Sequence, residues 1–598
     1  MSAGQEASRF RTRAARALKG EPPPAEVTGP VLRKLVADSA AMLKRGPLDA
    51  RSRASAARQH ALDNLEELHD RLRSRLEARG VTYHRCSTGE GAAQVVRDLL
   101  GDARRVAKSK TMVGEEIGLT PFLREGGLAV LETDIGEYIV DIEGQGPSHV
   151  TAPALHLNRS RIKELLAGAG SDVGTDDPVT LSRHIRDIVS TFFDDCDATI
   201  TGANTTIAGS GRLVAVENEG NVALGVSHPA KHIVVTGLEK IVAEDEDALA
   251  ILEVLAPSAT AQPLTAFTHL LGDPPPGQER HVVFVDNGRS EILANERYRD
   301  ILRCIRCGAC MNACPVYTVA GGLAYGSPYM GPVGAVLSPL LWPEGGFSDL
   351  PGASSLCGRC SEVCPVGIPI HRMLLDLRAD DGYAQTTGFA EKAAWKLWAA
   401  TYGDPARARI AGTSGRVLAR LSSALPFVSL PLGAATEERA RARREPRNEV
   451  AYSPDPAPEA PPNERIALLI QRLQDLGVKV VPQKPSARDG DRVLGAAAAV
   501  AGTGSLLLTG SSASRREILA AERVIVRVDP GTVVDHPNAL APYISDGQDS
   551  LILTGASRTA DIEKQIVRGI HGTEELVVVV GPTSSHRESE IPVTPGGR

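Results

Sequence analysis

The sequence predicts an α/β protein in several units: a parallel sheet flanked by helices, a compact helical unit rich in cysteine, and a C-terminal α/β half-domain. Three observations predict this. From Val81 to about Val285, short apolar runs alternate with longer amphipathic segments, the pattern of strands joined by helices in a parallel sheet. Seven of the nine cysteines crowd between Cys304 and Cys364. Finally, AGTGSLLLTG at 501–510 echoes AGSGRLVAVENEG at 208–220, and RVIVRVDP echoes HIVVTGLE in the same order, which marks a duplicated strand-turn-strand unit. The later copy lacks the ENEGN turn, Glu217 to Asn221.

At 598 residues the chain exceeds what one core accommodates. Residues 1–80 form an N-terminal helical region, in which Leu62, Leu65, Leu68 and Leu72 recur at helical spacing. Its first 20 residues carry arginines without an apolar run, so they read as a solvated helical arm and not a secretory signal. Residues 81–290 form the first α/β domain, with strands expected at VTYHRC, VVRDLL, LAVLETD, EYIVDI, RLVAVEN, HIVVTG and finally VVFVDNG. AGSG at Ala208 to Gly211 lacks the full glycine fingerprint of a dinucleotide site. Residues 291–380 form the cysteine-rich unit, in which a helical ILANERYRDIL leads into Cys304 and a helical IPIHRMLLDLR follows the last cysteine. A helical tail and linker occupy 381–452, leading through charge-dense and proline-rich runs into the C-terminal α/β unit at 453–598.

The composition excludes several classes. A net charge of −7 without a basic stripe gives no reason to expect nucleic acid. No apolar stretch approaches the roughly 20 residues that span a bilayer, so a soluble, cytoplasmic protein is expected. Clustered thiols without a secretory signal fit a reducing compartment.

The first cysteine run, Cys304, Cys307, Cys310, Cys314 and Pro315, has the C-x2-C-x2-C-x3-C-P spacing of an iron-sulfur protein with two cubanes. In that spacing three thiolates hold one cluster and the fourth passes to the other. Aligning Cys364-Pro365 with Cys314-Pro315 makes Cys360 and Cys357 the third and second positions and leaves Ser354 at the first. One cluster is then supplied by Cys304, Cys307, Cys310 and Cys364. The other has Cys314, Cys357 and Cys360, with Ser354 or Ser355 as an oxygen ligand, an open iron, or a three-iron cluster as the alternatives; two [4Fe-4S] clusters, one with a non-cysteine fourth position, is the preferred reading. A zinc pair is the bland alternative, because C-x2-C knuckles also bind zinc. Between the runs, Tyr325 and Tyr329 lie in a glycine- and proline-rich insertion, as ordinary packing or as an electron-entry surface. Cys86 and Cys196 read as buried thiols.

The segments KSKTMVGEEIGL (Lys108 to Leu119), LETDIGEYIV, PSHVTAPALH, the ENEGN turn, VDNGRS and both cysteine runs with the intervening YGSPYMGPVGAVL resemble the LutB-type iron-sulfur subunit of bacterial lactate utilisation, over about residues 81–380. The C-terminal unit resembles a shortened LutC-type (LUD) subunit, through AGTGSLLL and TGASRTADIEKQIVRGIHGTEELVVVV, so the chain looks like a fusion of two components. The resemblance implies LUD domains of the NagB, ribose-phosphate isomerase and CoA-transferase type and a ferredoxin-type helical domain. It also implies electron transfer in oxidation of L-lactate to pyruvate, beside cysteine-rich LutA-type and LutC-type partners, and a family in which the three-cysteine second run is usual.

Outside the cysteines, Lys108, Lys110, Glu115, Glu116, Glu132 and Asp134 fall near strand ends, where open α/β sheets place ligands, and Glu219 and Asn221 join them through the acidic turn. Lys108, Glu219 and Asn221 are the candidate substrate site, with Lys108 for a carboxylate and His149 or His228 for a hydroxyl proton. Two other functions stand beside electron transfer: catalysis on an acyl or sugar-like substrate with accessory clusters, and a redox-sensing scaffold.

Overall fold

The computed structural model describes residues 9–19, 23–227, 230–380 and 460–581, interrupted between 483 and 490 and at 511, 545–548, 563–565, 569, 572 and 574, with a few residues between 393 and 401. The linker runs and His228 lie outside the described residues. The chain divides into two units, Met1–Leu377 with Pro458–Arg598, and Arg378–Ala457; every sheet belongs to the first.

Six parallel strands make the first sheet, in the order Val81–Cys86, Glu279–Val285, Lys231–Gly237, Ala198–Thr201, Arg105–Lys108 and Ala129–Glu132. Its central strands are buried along nearly their whole length, which is why they read as continuous apolar runs. Two of the expected strands are helices. VVRDLL belongs to the helix Gly89–Leu100, where Ala92, Ala93, Val96 and Leu100 share the buried face and Thr88 caps the start by accepting from Gly91 N. EYIVDI lies in the helix Ile135–Ile142, capped by Asp134. Six-residue windows that are mostly apolar do not separate strand from buried helix; the capping residues upstream do.

RLVAVEN does form a strand, Leu213–Glu217, but in a second sheet. That sheet has eight strands, and half of them come from the C-terminal unit. Its order is Val533–Val534, Ala498–Val500, Ser505–Thr509, Ser550–Leu553, then Phe267–Leu271, Leu213–Glu217, Thr205–Ile207 and Ile241–Val242. The two halves meet where Ser550–Leu553 runs antiparallel to Phe267–Leu271, with Ser550 opposite Leu270 and Leu553 opposite Phe267. On each side an antiparallel hairpin is followed outward by a parallel two-residue strand, so the repeat seen in sequence is an approximate two-fold arrangement in the fold.

A four-stranded parallel sheet, Lys479–Val481, Glu575–Val580, Arg523–Val528 and Asp491–Gly495, mirrors the first four strands of the six-stranded sheet. Among the described residues this sheet has no counterparts of Arg105–Lys108 and Ala129–Glu132. The C-terminal unit shares the eight-stranded sheet with the first domain. Its strand pairing is long-range and leaves no local mark in the sequence.

The N-terminal helices Gly29–Leu43, Ala50–Asp63 and Leu65–Ala78 bind these parts together. Leu62, Leu65, Leu68, Leu72 and Leu76 are buried, as their spacing predicts. Arg58, 2% exposed, donates to the carbonyls of Leu302, Ile241 and Glu239 and so ties the cysteine-rich unit to the first domain. The helix Phe10–Ala17 is docked and not solvated: Phe10 packs on Tyr325, and Arg13 donates to the carbonyls of Ala324 and Tyr325.

Candidate cluster sites and the adjoining cleft

The two cysteine runs fold alike. Arg306 and Leu356 both take positive φ, 60° and 54°, and Gly308 and Gly358 follow at 76° and 81°. Each glycine opens a four-residue helix, Ala309–Asn312 or Arg359–Glu362, that carries the next cysteine. The left-handed glycine turns the chain sharply enough to bring both thiols of C-x2-C to one side. Ser354 stands where Cys304 stands in the first run. Cys304 Sγ accepts from Arg306 N at 3.4 Å, and Ser354 Oγ accepts from Leu356 N at 3.1 Å. Pro315 then starts the helix Pro315–Ala320 at the one place where a missing N–H costs nothing, and Cys314 Sγ accepts from Tyr317 N at 3.5 Å.

The thiols sort into two groups. Cys304, Cys307, Cys310 and Cys364 line one small pocket, closed by Val150, Met311, Val333 and Ile368. Burial pushes the Cys307, Cys310 and Cys364 thiols above their usual pKa, and the charge of Cys304 adds to this at all three. In the second group burial pushes Cys360 up to about 11, and Cys314 and Cys357 add to it. Cys360 also acts on Cys310, so the groups are neighbours. Buried thiols crowded in this way are poor structural residues but good ligands, because a bound metal replaces the proton that burial otherwise enforces. Four soft sulfur donors around one water-excluding pocket fit an iron-sulfur cluster. Cys86 and Cys196 stand apart from both groups; burial raises Cys86, and pushes Cys196 up to about 11.

Positive charge surrounds the first group. Besides Arg58, Lys240 Nζ donates to Cys304 O at 3.0 Å, and Arg306 lies over the Tyr329 ring at 4.7 Å while bonding Glu239. Sequence reasoning missed these three residues because they come from three separate segments. Tyr329 OH donates to Glu116 Oε2 at 2.5 Å, and Tyr325 is fully buried beneath Phe10 and Tyr317. Both tyrosines are packed within the structure.

Beside the first thiol pocket opens a cleft of about 870 Å³, and Val150, Ile305 and Arg306 line both. Of the candidate substrate residues, Glu219 and Asn221 line the cleft, as do Lys110, Asp134 and His149. Lys108 does not. It is fully buried, with Nζ 2.9 Å from Glu132 and 3.1 Å from Glu115. Burial opposes its charge, but Glu132, Glu115 and Glu137 together hold it well above its ordinary pKa. Lys108 is thus a saturated core ion pair and is not available to a substrate carboxylate. Glu116 is equally committed, to Arg289, Asn287 and Tyr329. His149 uses both nitrogens, Nε2 with Asn312 Oδ1 at 2.8 Å and Nδ1 accepting from Thr151 N at 3.1 Å, so it fixes the cleft wall to the cysteine-rich unit.

The C-terminal copy also reaches this cleft. Its residues 554–574 are an insertion relative to the short 272–278 connection of the first copy. Arg558 N donates to Asn218 O, His571 N donates to Glu219 O, and Arg558, Thr559 and Asp561 line the cleft. Comparing the two copies in length at this point is the sequence signal that finds these residues.

Among known proteins, residues 69–291 match the family described as LUD domain and residues 300–368 the family described as 4Fe-4S dicluster domain. The chain is 42% identical over 354 residues to lactate utilization protein B 2 of Bacillus mycoides, covering 57% of this chain and 74% of that protein. The same identity and coverage hold for lactate utilization protein B of Bacillus thuringiensis and of Bacillus anthracis. A solved DUF162 family protein from Deinococcus radiodurans aligns with 19% identity and a TM-score of 0.21 over 37% of this chain and 98% of that one, too distant a likeness to compare in detail. With its cysteine groups and its LUD-type sheet at this level of identity, the chain belongs to the lactate utilization protein B family.

Proposed function

We propose that this chain is the electron-transfer component of an assembly that oxidises L-lactate to pyruvate, holding two [4Fe-4S] clusters. Cys304, Cys307, Cys310 and Cys364 hold one. Cys314, Cys357 and Cys360 hold the other, with the Ser354 hydroxyl at its fourth position. The observation that carries this reading is the sorting of seven thiols into two neighbouring groups, one lining a single pocket beside a ligand-sized cleft.

When bound, such clusters supply one-electron transfer, and two of them match the two electrons released when a hydroxy acid becomes an oxo acid. The residues of the chain do the rest. Backbone N–H groups of Arg306, Tyr317 and Ile368 donate to ligand sulfurs, which stabilises their negative charge. Arg58 of the N-terminal helices and Arg306 of the cysteine-rich unit offset that charge, Lys240 of the first domain donates to Cys304 O, and Val150, Met311 and Ile368 exclude water. The cysteine-rich LutA-type and LutC-type subunits are the expected partners. The Phe267–Leu271 edge is already paired with the chain's own C-terminal copy, so it is closed to either of them.

Iron and sulfide quantification with EPR of anaerobically purified protein tests the proposal. About eight iron and eight sulfide per chain are expected, with two reduced four-iron signals. Lactate oxidation by the isolated chain should be slow until the partners are added. Zinc in place of iron, or full lactate oxidation by the chain alone, overturns the proposal.

A further inference from the structure

The cleft contains a second set of ligand-like groups unrelated to the thiols. Asp134, Glu219 and Asp561 each present a carboxylate oxygen, and these three atoms all lie within 4.8 Å of one another. They arrive from three places: Asp134 from the start of the helix Ile135–Ile142, Glu219 from the acidic turn after Leu213–Glu217, and Asp561 from the C-terminal copy. The copy is held against the acidic turn by backbone bonds. Arg558 N donates to Asn218 O at 2.7 Å and His571 N to Glu219 O at 2.9 Å. A Cβ on Gly220 would meet His571 O at 2.7 Å, so the turn accepts only glycine there, also because its φ is +100°.

Two independent observations indicate that this cluster is built for an occupant. Glu219 is 4% exposed and its Oε2 accepts from Ile135 N at 3.1 Å, while its Oε1 is buried with no hydrogen-bond partner within 3.5 Å, although the Thr559 side chain also favours the charged carboxylate. A carboxylate oxygen left so is costly unless something binds it. Charge points the same way. Lys110 is the cation set against this group, and it is already 2.6 Å from Glu137. The Lys110 ammonium is thus shared between Glu137 and the carboxylates of Asp134 and Asp561. Burial and Asp561 push Asp134 up to about 7, and burial, Asp134 and Asp561 push Glu219 well above the carboxylate range.

We infer that Asp134, Glu219 and Asp561 form a divalent-cation site, completed only when the C-terminal copy docks on the first domain. An all-oxygen, anionic ligand set selects a hard cation, Mg²⁺, Mn²⁺ or Ca²⁺, over a soft one. All three carboxylates line the cleft, so the remaining coordination positions of the ion face it and are open to water or to oxygen atoms of an anionic ligand. The fused copy then has a role of its own: it donates Asp561 and orders the acidic turn. Thr559 orients that carboxylate, its Oγ1 donating to Asp561 Oδ2 at 3.3 Å.

The test is a Mn²⁺ titration of the full-length, cluster-loaded protein after chelator treatment, followed by EPR of free Mn²⁺, with iron content and circular dichroism as controls. About one Mn²⁺ per chain should bind and be displaced by Mg²⁺ or Ca²⁺. Asp561→Asn should weaken binding at least roughly tenfold with iron content unchanged, as ligand-shell losses do. Glu219→Gln serves as a second variant if the first does not fold. Absence of stoichiometric Mn²⁺ binding, or equal affinity in a folded Asp561→Asn protein, overturns the inference. The readout is cation occupancy and not lactate oxidation, so either proposal can fail without the other.

Discussion

Ser354 Oγ occupies in the second cysteine run the place that Cys304 Sγ occupies in the first, each accepting a hydrogen bond from the backbone N–H two residues on. The backbone is thus preset to offer a ligand at both positions, and only the donor atom differs. Oxygen is a harder, less polarisable donor than sulfur, so the two clusters proposed above would be electronically unequal.

Ser354→Ala and Cys304→Ser separate the two sites. Ser354→Ala should alter the EPR signal of one cluster and leave the other unchanged, and Cys304→Ser should do the reverse. Ser354→Cys should keep both clusters and move the potential of the second. If Ser354→Ala leaves both signals untouched, the fourth ligand of the second cluster is something other than Ser354.

Arg306 sits between the cleft and the first thiol group, its backbone bonded to Cys304 Sγ and its side chain over Tyr329. A unit charge at about 8 Å with an effective dielectric of about 20 is worth ~2 kcal/mol, on the order of 90 mV for one electron. Arg306→Gln should therefore make one cluster harder to reduce, shifting its potential down by ~50–100 mV in a spectroelectrochemical titration. An unchanged potential would mean that solvent or Glu239 already neutralises the guanidinium.

The cysteine chemistry was legible in the sequence because ligand spacing is local: the alignment that left Ser354 opposite Cys304 needs no knowledge of the fold. Most strands of the six-stranded sheet were legible through their short apolar runs, but Ala198–Thr201 was missed, and Gly89–Leu100 and Ile135–Ile142 were misread where a six-residue, mostly apolar window fits either period. Lys108 shows the opposite limit. Its place at a strand end suggested a ligand site, but burial against Glu132 and Glu115 is decided by side chains on a neighbouring strand and helix. The extra length of the C-terminal copy at 554–574 marks the segment that holds Asp561, but its place in the cleft depends on pairing of strands nearly 300 residues apart, Phe267–Leu271 with Ser550–Leu553.

That pairing makes a prediction about truncation. Removing residues after 453 uncovers the strand Phe267–Leu271, every residue of which is buried, and leaves unpaired the backbone groups that faced Ser550–Leu553. Exposed apolar edges of this kind recruit other chains. The truncated protein should self-associate or precipitate, as seen by size-exclusion chromatography with light scattering, even if its cysteines still take up iron. A monodisperse, soluble truncation would show that the first domain protects its own edge.

His571 makes the docking of the C-terminal copy sensitive to acid. Burial holds its pKa down at about 4, with Arg186 lowering it further and Glu217 and Asp187 opposing. A histidine whose folded pKa lies below its unfolded value near 6.5 gives full stability above about pH 6.5 and loses it as pH falls toward 4. The shift corresponds to about 3 kcal/mol at the acid end. His571→Gln should flatten the fall in Tm between about pH 6.5 and 4, measured against wild type so that acid loss from the clusters cancels. Because His571 N holds Glu219 O, wild-type protein should also lose the Mn²⁺ site over this range before global unfolding. Identical slopes for variant and wild type would place the acid sensitivity elsewhere, with the other buried histidines such as His232, which burial also holds well below its usual value.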